Sequence, residues 1–283
     1  AEKNEAEIAK AQKEAEEKKV PLDKVAGHFA GLDEIAGQVK SSFQNAYVLY
    51  LSGAVWEARG EWGRAAVDYR QALEMYPENK ELQAALTRAE KRQRPKNNGT
   101  VVFLYEEGFA PRKDEIKVPI PTFTGEVVTL AFPMYHASSQ AAYGGLSVSY
   151  SGTTKTAPLL TNVGALAARS LKEKIPGMLV RQTLRAVAKH QIQKQAGSQF
   201  GPLGQLAGNV YNFISEGADL RSWLLLPAYT AAMQMELPAG TQSVDLVAPG
   251  VSMAQTVEVK ARRTTLVRVV NTRSRLFIQT FEL

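Results

Sequence analysis

The sequence predicts an α+β protein: a helical N-terminal domain, then an antiparallel β-rich domain with a helical insertion. Three observations predict it. Apolar residues recur at spacings of three and four from Leu22 to about residue 92, the period of an amphipathic helix. From Thr100 the period falls toward two, and Gly, Pro and Asn turns punctuate short apolar runs, the mark of strands. Between residues 161 and 215 helical spacing returns before strands resume, so helices are inserted among strands and do not alternate with them.

Residues 1–20 are built mainly of Ala, Lys and Glu, with Ile8 nearly alone as an apolar residue. Pairs such as Glu14 and Lys18 sit one turn apart and support a solvated helical extension; a coiled-coil contact is the alternative. Residues 21–93 form the expected helical domain. Pro21 and Asp23 start it, and Leu22, Val25, Phe29, Leu32, Ile35, Val39 and Phe43 make one apolar stripe. Gly27, Gly31 and Gly37 interrupt that stripe and predict a break near Gly31 or tight packing.

From Ala46 to Pro77, small residues stand at Gly53, Ala65 and Ala72 and aromatics at Trp56, Trp62 and Tyr69, with a turn at Gly60. This spacing resembles the tetratricopeptide repeat, a helix–turn–helix unit of about 34 residues, although Leu49 and Ser52 stand where that repeat usually has Trp and Leu. The resemblance implies two closely approaching antiparallel helices that scaffold another protein. It puts Tyr47, Tyr50, Ala54, Glu57 and Ala58 on the groove-lining helix as partner-binding residues. Either a partner segment or the chain's own residues 1–43 would fill the groove. Glu78–Arg92 reads as a helix that caps the repeat. Residues 94–99, polar and holding Pro95 and Gly99, read as the linker between domains.

Residues 100–283 are the expected β-rich domain. Strands are predicted at Thr100–Tyr105, Ile116–Ile120, Val127–Phe132, after the Gly125 turn, and Leu146–Tyr150, with another short strand after the Gly152-Thr153 turn. The insertion at 161–215 starts from Thr161 or Asn162 as N-cap. It continues as a helix Val163–Lys174, a break at Pro176-Gly177, a second helix Met178–Gln195, a link with Gly197, Gly201 and Gly204, and a short helix Leu206–Ile214. Strands return at Tyr229–Leu237, Gln242–Val247, Thr256–Ala261, Thr264–Asn271 and Leu276–Phe281.

Composition bounds the chemistry. A net charge of +6 with a pI near 9.3 favours anionic partners without choosing among them. The absence of cysteine from these 283 residues excludes a disulfide or a Cys-ligated metal within them. No apolar run approaches the ~18 residues of a spanning helix. Ala1 opens the chain inside a charged helical pattern, which leaves a signal peptide or a lipidated cysteine upstream open. No nucleotide-binding, zinc-protease or nucleophile-elbow pattern is present. Ser151–Thr156 and Gly250–Ala254 read as hairpin turns. His28, His136 and His190 fall in separate elements, and Glu106-Glu107 and Asp114-Glu115 read as solvated strand ends, so neither a metal site nor a catalytic residue is expected. Arg181, Arg185 and Lys189 form a basic stripe at helical spacing, with Lys172, Lys174 and Lys194 near it. It would suit an anionic surface such as peptidoglycan or lipid headgroups. It has no interleaved aromatics for nucleic acid.

Two further blocks carry a wider resemblance: Glu107–Lys113 followed by Ile116–Pro119, and Glu216–Trp223 leading into Leu226-Pro227. With the repeat they resemble an uncharacterised family of bacterial cell-envelope proteins, often lipoproteins, with a tetratricopeptide-like region ahead of a β-rich domain. The resemblance implies a periplasmic location at the outer membrane, and envelope proteins such as outer-membrane lipoproteins as partners. Within the second block, Asp219 is expected to pair with Arg221 or cap a turn, while Trp223 plugs a junction between helix and sheet. The expected function is a non-catalytic scaffold without cofactors, with homo-oligomerisation suggested by the lone repeat and by apolar stretches such as Leu203–Ile214.

Overall fold

The structure, a computed structural model, describes residues 41–121, 127–137, 141–183, 185–186 and 217–283, with 27–37, 39 and the isolated positions 6, 9 and 13. The extension 1–20 (but for those three positions), Leu22, Val25, the Gly125 turn, Lys189, His190, Lys194, the glycine-rich link and the Leu203–Ile214 stretch lie outside the described residues. A short 3-10 turn (Gly27–Phe29) precedes α1 (Gly31–Ala36), α2 (Ala46–Arg59), α3 (Trp62–Met75) and α4 (Lys80–Lys91). Then come β1 (Asn98–Glu107), β2 (Asp114–Pro121), β3 (Val127–Met134), β4 (Ser147–Tyr150), β5 (Thr153–Thr156) and β6 (Leu159–Asn162). Helix α5 occupies 163–183. It is followed by β7 (Tyr229–Pro238), β8 (Gly240–Ala248), β9 (Val251–Val259), β10 (Thr264–Asn271) and β11 (Leu276–Glu282). The chain is thus α+β, with helices leading and strands dominating the remainder.

It divides into two compact units. One comprises 43–110, 140–164 and 224–283. Its centre is β1, whose Val101, Phe103 and Tyr105 enter one core while Val102 and Leu104 enter another. Burial on both faces explains its unbroken apolar run. The sheet order is β11-β10-β1-β7-β6. The purely antiparallel expectation is corrected here, because β1 pairs in parallel with β10. A parallel pair needs a long crossover, and the chain between residues 107 and 264 supplies it. A second sheet, β5-β4-β8-β9, shares a core with one face: Val148, Val244, Leu246 and Val257 meet Phe103, Met233 and Val267. Both expected hairpin turns are found, at Ser151-Gly152 between β4 and β5 and at Pro249-Gly250 between β8 and β9.

Helices α2–α4 cover the opposite face. A Cβ at Gly53 would lie 2.6 Å from Tyr69 Cε1, so only glycine lets α2 approach α3 this closely. Gly60, at φ 80°, ends α2 in the left-handed region that a side chain disfavours. Asn45 and Asn79 cap α2 and α4 by accepting backbone N–H bonds. Tyr50, Tyr69, Leu82, Ala85 and Ala89 share their core with Val102, Leu104, Leu160, Ala232 and Leu266. The boundary expected at 94–99 therefore falls inside a compact unit. Three short helices cannot bury an apolar face alone, and the sheet is what they bury it against.

The other unit comprises 1–42, 111–139 and 165–223. Its core joins Phe29 and Leu32 with the β2–β3 hairpin and with Ala168, Leu171, Ile175 and Leu179 of α5. Phe29 meets Phe132 edge to face at 5.5 Å. The long helix expected from Leu22 is, among the described residues, only the 3-10 turn and α1; Phe43 is exposed. Conversely, α5 passes through Pro176-Gly177, where a break was expected. Pro176 forfeits one N–H bond, and burial of Ile175, Leu179 and Val180 around it offsets the loss.

Candidate functional site

The residues expected to line a partner groove are brought together, but as an interior seam. Tyr50 is fully buried and donates its hydroxyl hydrogen bond to Glu81 Oε1 at 2.8 Å. Tyr69 donates to Glu57 Oε2 at 2.8 Å. Arg88 reaches Glu57 Oε1 at 3.3 Å through Nε and Gln234 Oε1 at 2.6 Å through Nη2. From the sheet side, Lys155 Nζ donates to Glu81 Oε2 at 2.7 Å and to the Gln234 carbonyl at 2.8 Å. The Gln234 N–H donates to Glu81 Oε1. Tyr47 is buried and donates to Glu106, which also takes both Nε and Nη2 of Arg268. Ala54 is buried and Ala58 half-buried. As an open groove the site is corrected: Tyr47, Tyr50 and Ala54 share a core with α4 and the sheet, and Glu57 is held by Arg88 of α4.

Two carboxylates, Glu57 and Glu81, thus face two cations, Arg88 and Lys155. Burial, reinforced by the neighbouring carboxylates, pushes the Tyr50 and Tyr69 phenols well above their ordinary value. Burial also disfavours the Arg88 cation, but Glu57, the two tyrosines and Glu81 together raise its pKa. The phenols act only as donors here, and the seam ties α4 and α3 to the sheet. Sequence reasoning missed Glu81, Arg88, Lys155 and Gln234. One signal was available: Glu81 and Arg88 fall on the Ala85–Ala89 stripe of α4, charges of opposite sign on a face that had to be buried.

Glu107 corrects the expectation of a solvated strand end, for it is fully buried. It accepts from the Gly144 and Gly145 N–H groups, from Tyr105 Oη at 3.1 Å and from Arg273 Nη2 at 2.8 Å. Asn271 donates to Tyr105 Oη at 2.9 Å and accepts from the Arg273 N–H. Burial raises the Tyr105 and Tyr143 phenols. A carboxylate on the inward side of a strand needs such a ring of donors, and its partners come from loops 37 and 166 residues away in sequence, beyond the reach of local pattern.

Arg181 and Arg185 are both exposed at helical positions. Lys172 is committed to Asp33. His28 and His136 lie in separate elements, the latter 4.0 Å from Asp114. Among the described residues no cluster of His, Asp and Glu could hold a metal ion, and no helix is long and apolar enough to cross a membrane. Asp219 pairs with Arg221 through two bonds of 2.9 Å, and these hold its carboxyl below the usual range. Trp223 plugs no junction: it is 73% exposed, next to Leu224, Leu225 and Leu226, which are also exposed. Comparison of the chain with known protein families, with characterised proteins and with solved structures finds no match.

Proposed function

We propose that this protein is a non-catalytic scaffold in a bacterial envelope complex, located in the periplasm at the outer membrane. The observation that carries the reading is the run of exposed apolar side chains Leu224, Leu225 and Leu226. Large apolar side chains clustered at a surface are the mark of a contact with another molecule. The tight α2–α3 pair supports a tetratricopeptide-like unit, read now as one that uses its small-residue face internally and leaves Val48 and Val67 outside. Partners are envelope proteins, with outer-membrane lipoproteins foremost and a second copy of the chain among them. Purification from native membranes followed by light scattering and mass spectrometry tests the reading. A particle of defined stoichiometry with envelope proteins is expected; a chain that captures none of them overturns it.

A second reading rests on exposed Arg181 and Arg185: with Lys189 they would hold the chain against peptidoglycan or anionic headgroups. Reversing the two arginines to Glu should then abolish sedimentation with cell walls or anionic vesicles, and unchanged sedimentation removes it.

A further inference from the structure

Strand β11 ends the five-stranded sheet in a way the other edges do not. Edge strands β5 and β6 are four residues long, β2 and β3 carry Pro119, Pro121 and Pro133, and β9 offers Ser252, Gln255, Thr256 and Glu258, with Met253 its one exposed large apolar side chain. Short or polar edges discourage pairing with other chains. By contrast, β11 is seven residues long, contains no proline, and exposes Phe277 and Phe281 to 50% and 49%. Beside it lies an open depression of about 530 Å³ over Arg268, Val270 and Leu276–Gln279.

The ladder with β10 shows which backbone groups are open. Leu283 N donates to Thr264 O and Thr272 N donates to Arg275 O. The register between these bonds is unbroken, and hydrogen-bonded positions alternate in an antiparallel pair. Phe277, Gln279 and Phe281 therefore turn their N–H and C=O toward β10. Leu276, Ile278, Thr280 and Glu282 turn theirs outward.

We propose that β11 pairs antiparallel with β11 of a second copy of this chain, about a twofold axis through Gln279. In that register Leu276 opposes Glu282 and Ile278 opposes Thr280, so every outward N–H and C=O meets a partner. Phe277 of each copy opposes Phe281 of the other at non-hydrogen-bonded positions, where side chains come closest. Aromatic pairs of this kind are among the contacts that stabilise a sheet. A one-residue slip would set outward groups against inward ones. A two-residue slip in either direction would set a phenylalanine against Gln279. One self-complementary surface is what a closed twofold dimer needs. The inference names a partner within the scaffold reading proposed above.

The chain has no cysteine, which permits a direct test. Gln279→Cys puts two thiols opposite each other at the axis, within disulfide reach of ~4.4–6.8 Å between Cα atoms. Mild oxidation of the full chain should give a covalent dimer. Phe277→Cys, four positions from its twin, should not cross-link. Light scattering at tens of micromolar should give twice the 30.9 kDa chain mass. Thr280→Pro, which removes an outward donor and leaves the β10 ladder whole, should halve it with circular dichroism unchanged. If that variant does not fold, the paired cysteine variants decide. A wild-type monomer, equal cross-linking of both cysteine variants, or a folded Thr280→Pro variant of undiminished mass overturns the pairing. None of those results touches the capture of envelope proteins, and failure of that capture leaves the mass measurement intact.

Discussion

The two ends of the five-stranded sheet treat their polar and apolar groups in opposite ways. Toward β7, Glu81, Arg88, Lys155 and Gln234 are closed into pairs beneath α4. Toward β11, aromatic side chains and backbone groups are left open to solvent. The first region is satisfied by the chain itself; the second is the edge at which the pairing proposed above would close the sheet. Stability and the proposed association would therefore reside at different ends of one sheet, and substitutions should separate them.

The largest effect is expected at Glu81. Glu81→Ala leaves the buried Tyr50 hydroxyl and the Gln234 N–H without their acceptor, and each buried donor left unsatisfied costs about 1–3 kcal/mol. A urea titration measures it, and a loss below about 1 kcal/mol would show that the seam is not what holds α4 down. Next comes Gly53→Ala. The added methyl collides with the Tyr69 ring, and overpacking of this kind costs about 1–3 kcal/mol, read from the same titration. Glycine at a loosely packed position would instead gain helix propensity, so the sign alone discriminates.

Alkaline pH gives a smaller and more graded effect. Tyr50 and Tyr69 hold their protons above the ordinary phenol value of 10.0, whereas the unfolded chain releases them there. Above that pH the unfolded state binds fewer protons, so stability falls as pH rises, and below it these groups contribute no slope. The double variant Tyr50→Phe, Tyr69→Phe should flatten the decline in urea midpoint between about pH 9 and pH 11. The smallest effect is expected at the open end: Phe277→Ser and Phe281→Ser should each change monomer stability by about 1 kcal/mol or less, measured at a dilution where association is absent.

Much of this arrangement was legible in the residues. Gly53, Ala65, Ala72 and Tyr69 announced a close helix pair, because close approach demands small residues at fixed spacing. The β4–β5 and β8–β9 hairpins were legible because glycine turns are local chemistry. What was not legible depends on distant segments. Residues 94–99 have the composition of a linker, yet they join helices and a strand that share a core, and only the unbroken run through β1 hinted at cover on both faces. Pro176 and Gly177 are helix breakers by propensity, and tertiary burial of Ile175 and Leu179 overrides them. Trp223 has the size of a core residue, but nothing in its neighbours says whether the protein has an interior to offer it. The groove residues were correctly grouped and wrongly exposed, since periodicity identifies a face and not what lies against it.

The parallel pairing of β1 with β10 has a consequence in time. Both neighbours of β1, namely β7 and β10, are encoded in the last quarter of the chain. During synthesis the central strand must wait for more than a hundred residues before either side of it can be closed, and non-local pairing of this kind folds slowly. Until then the apolar run of β1 and the helices that need its surface lack the strands that complete their core, so this unit can close only once the last quarter of the chain has been made.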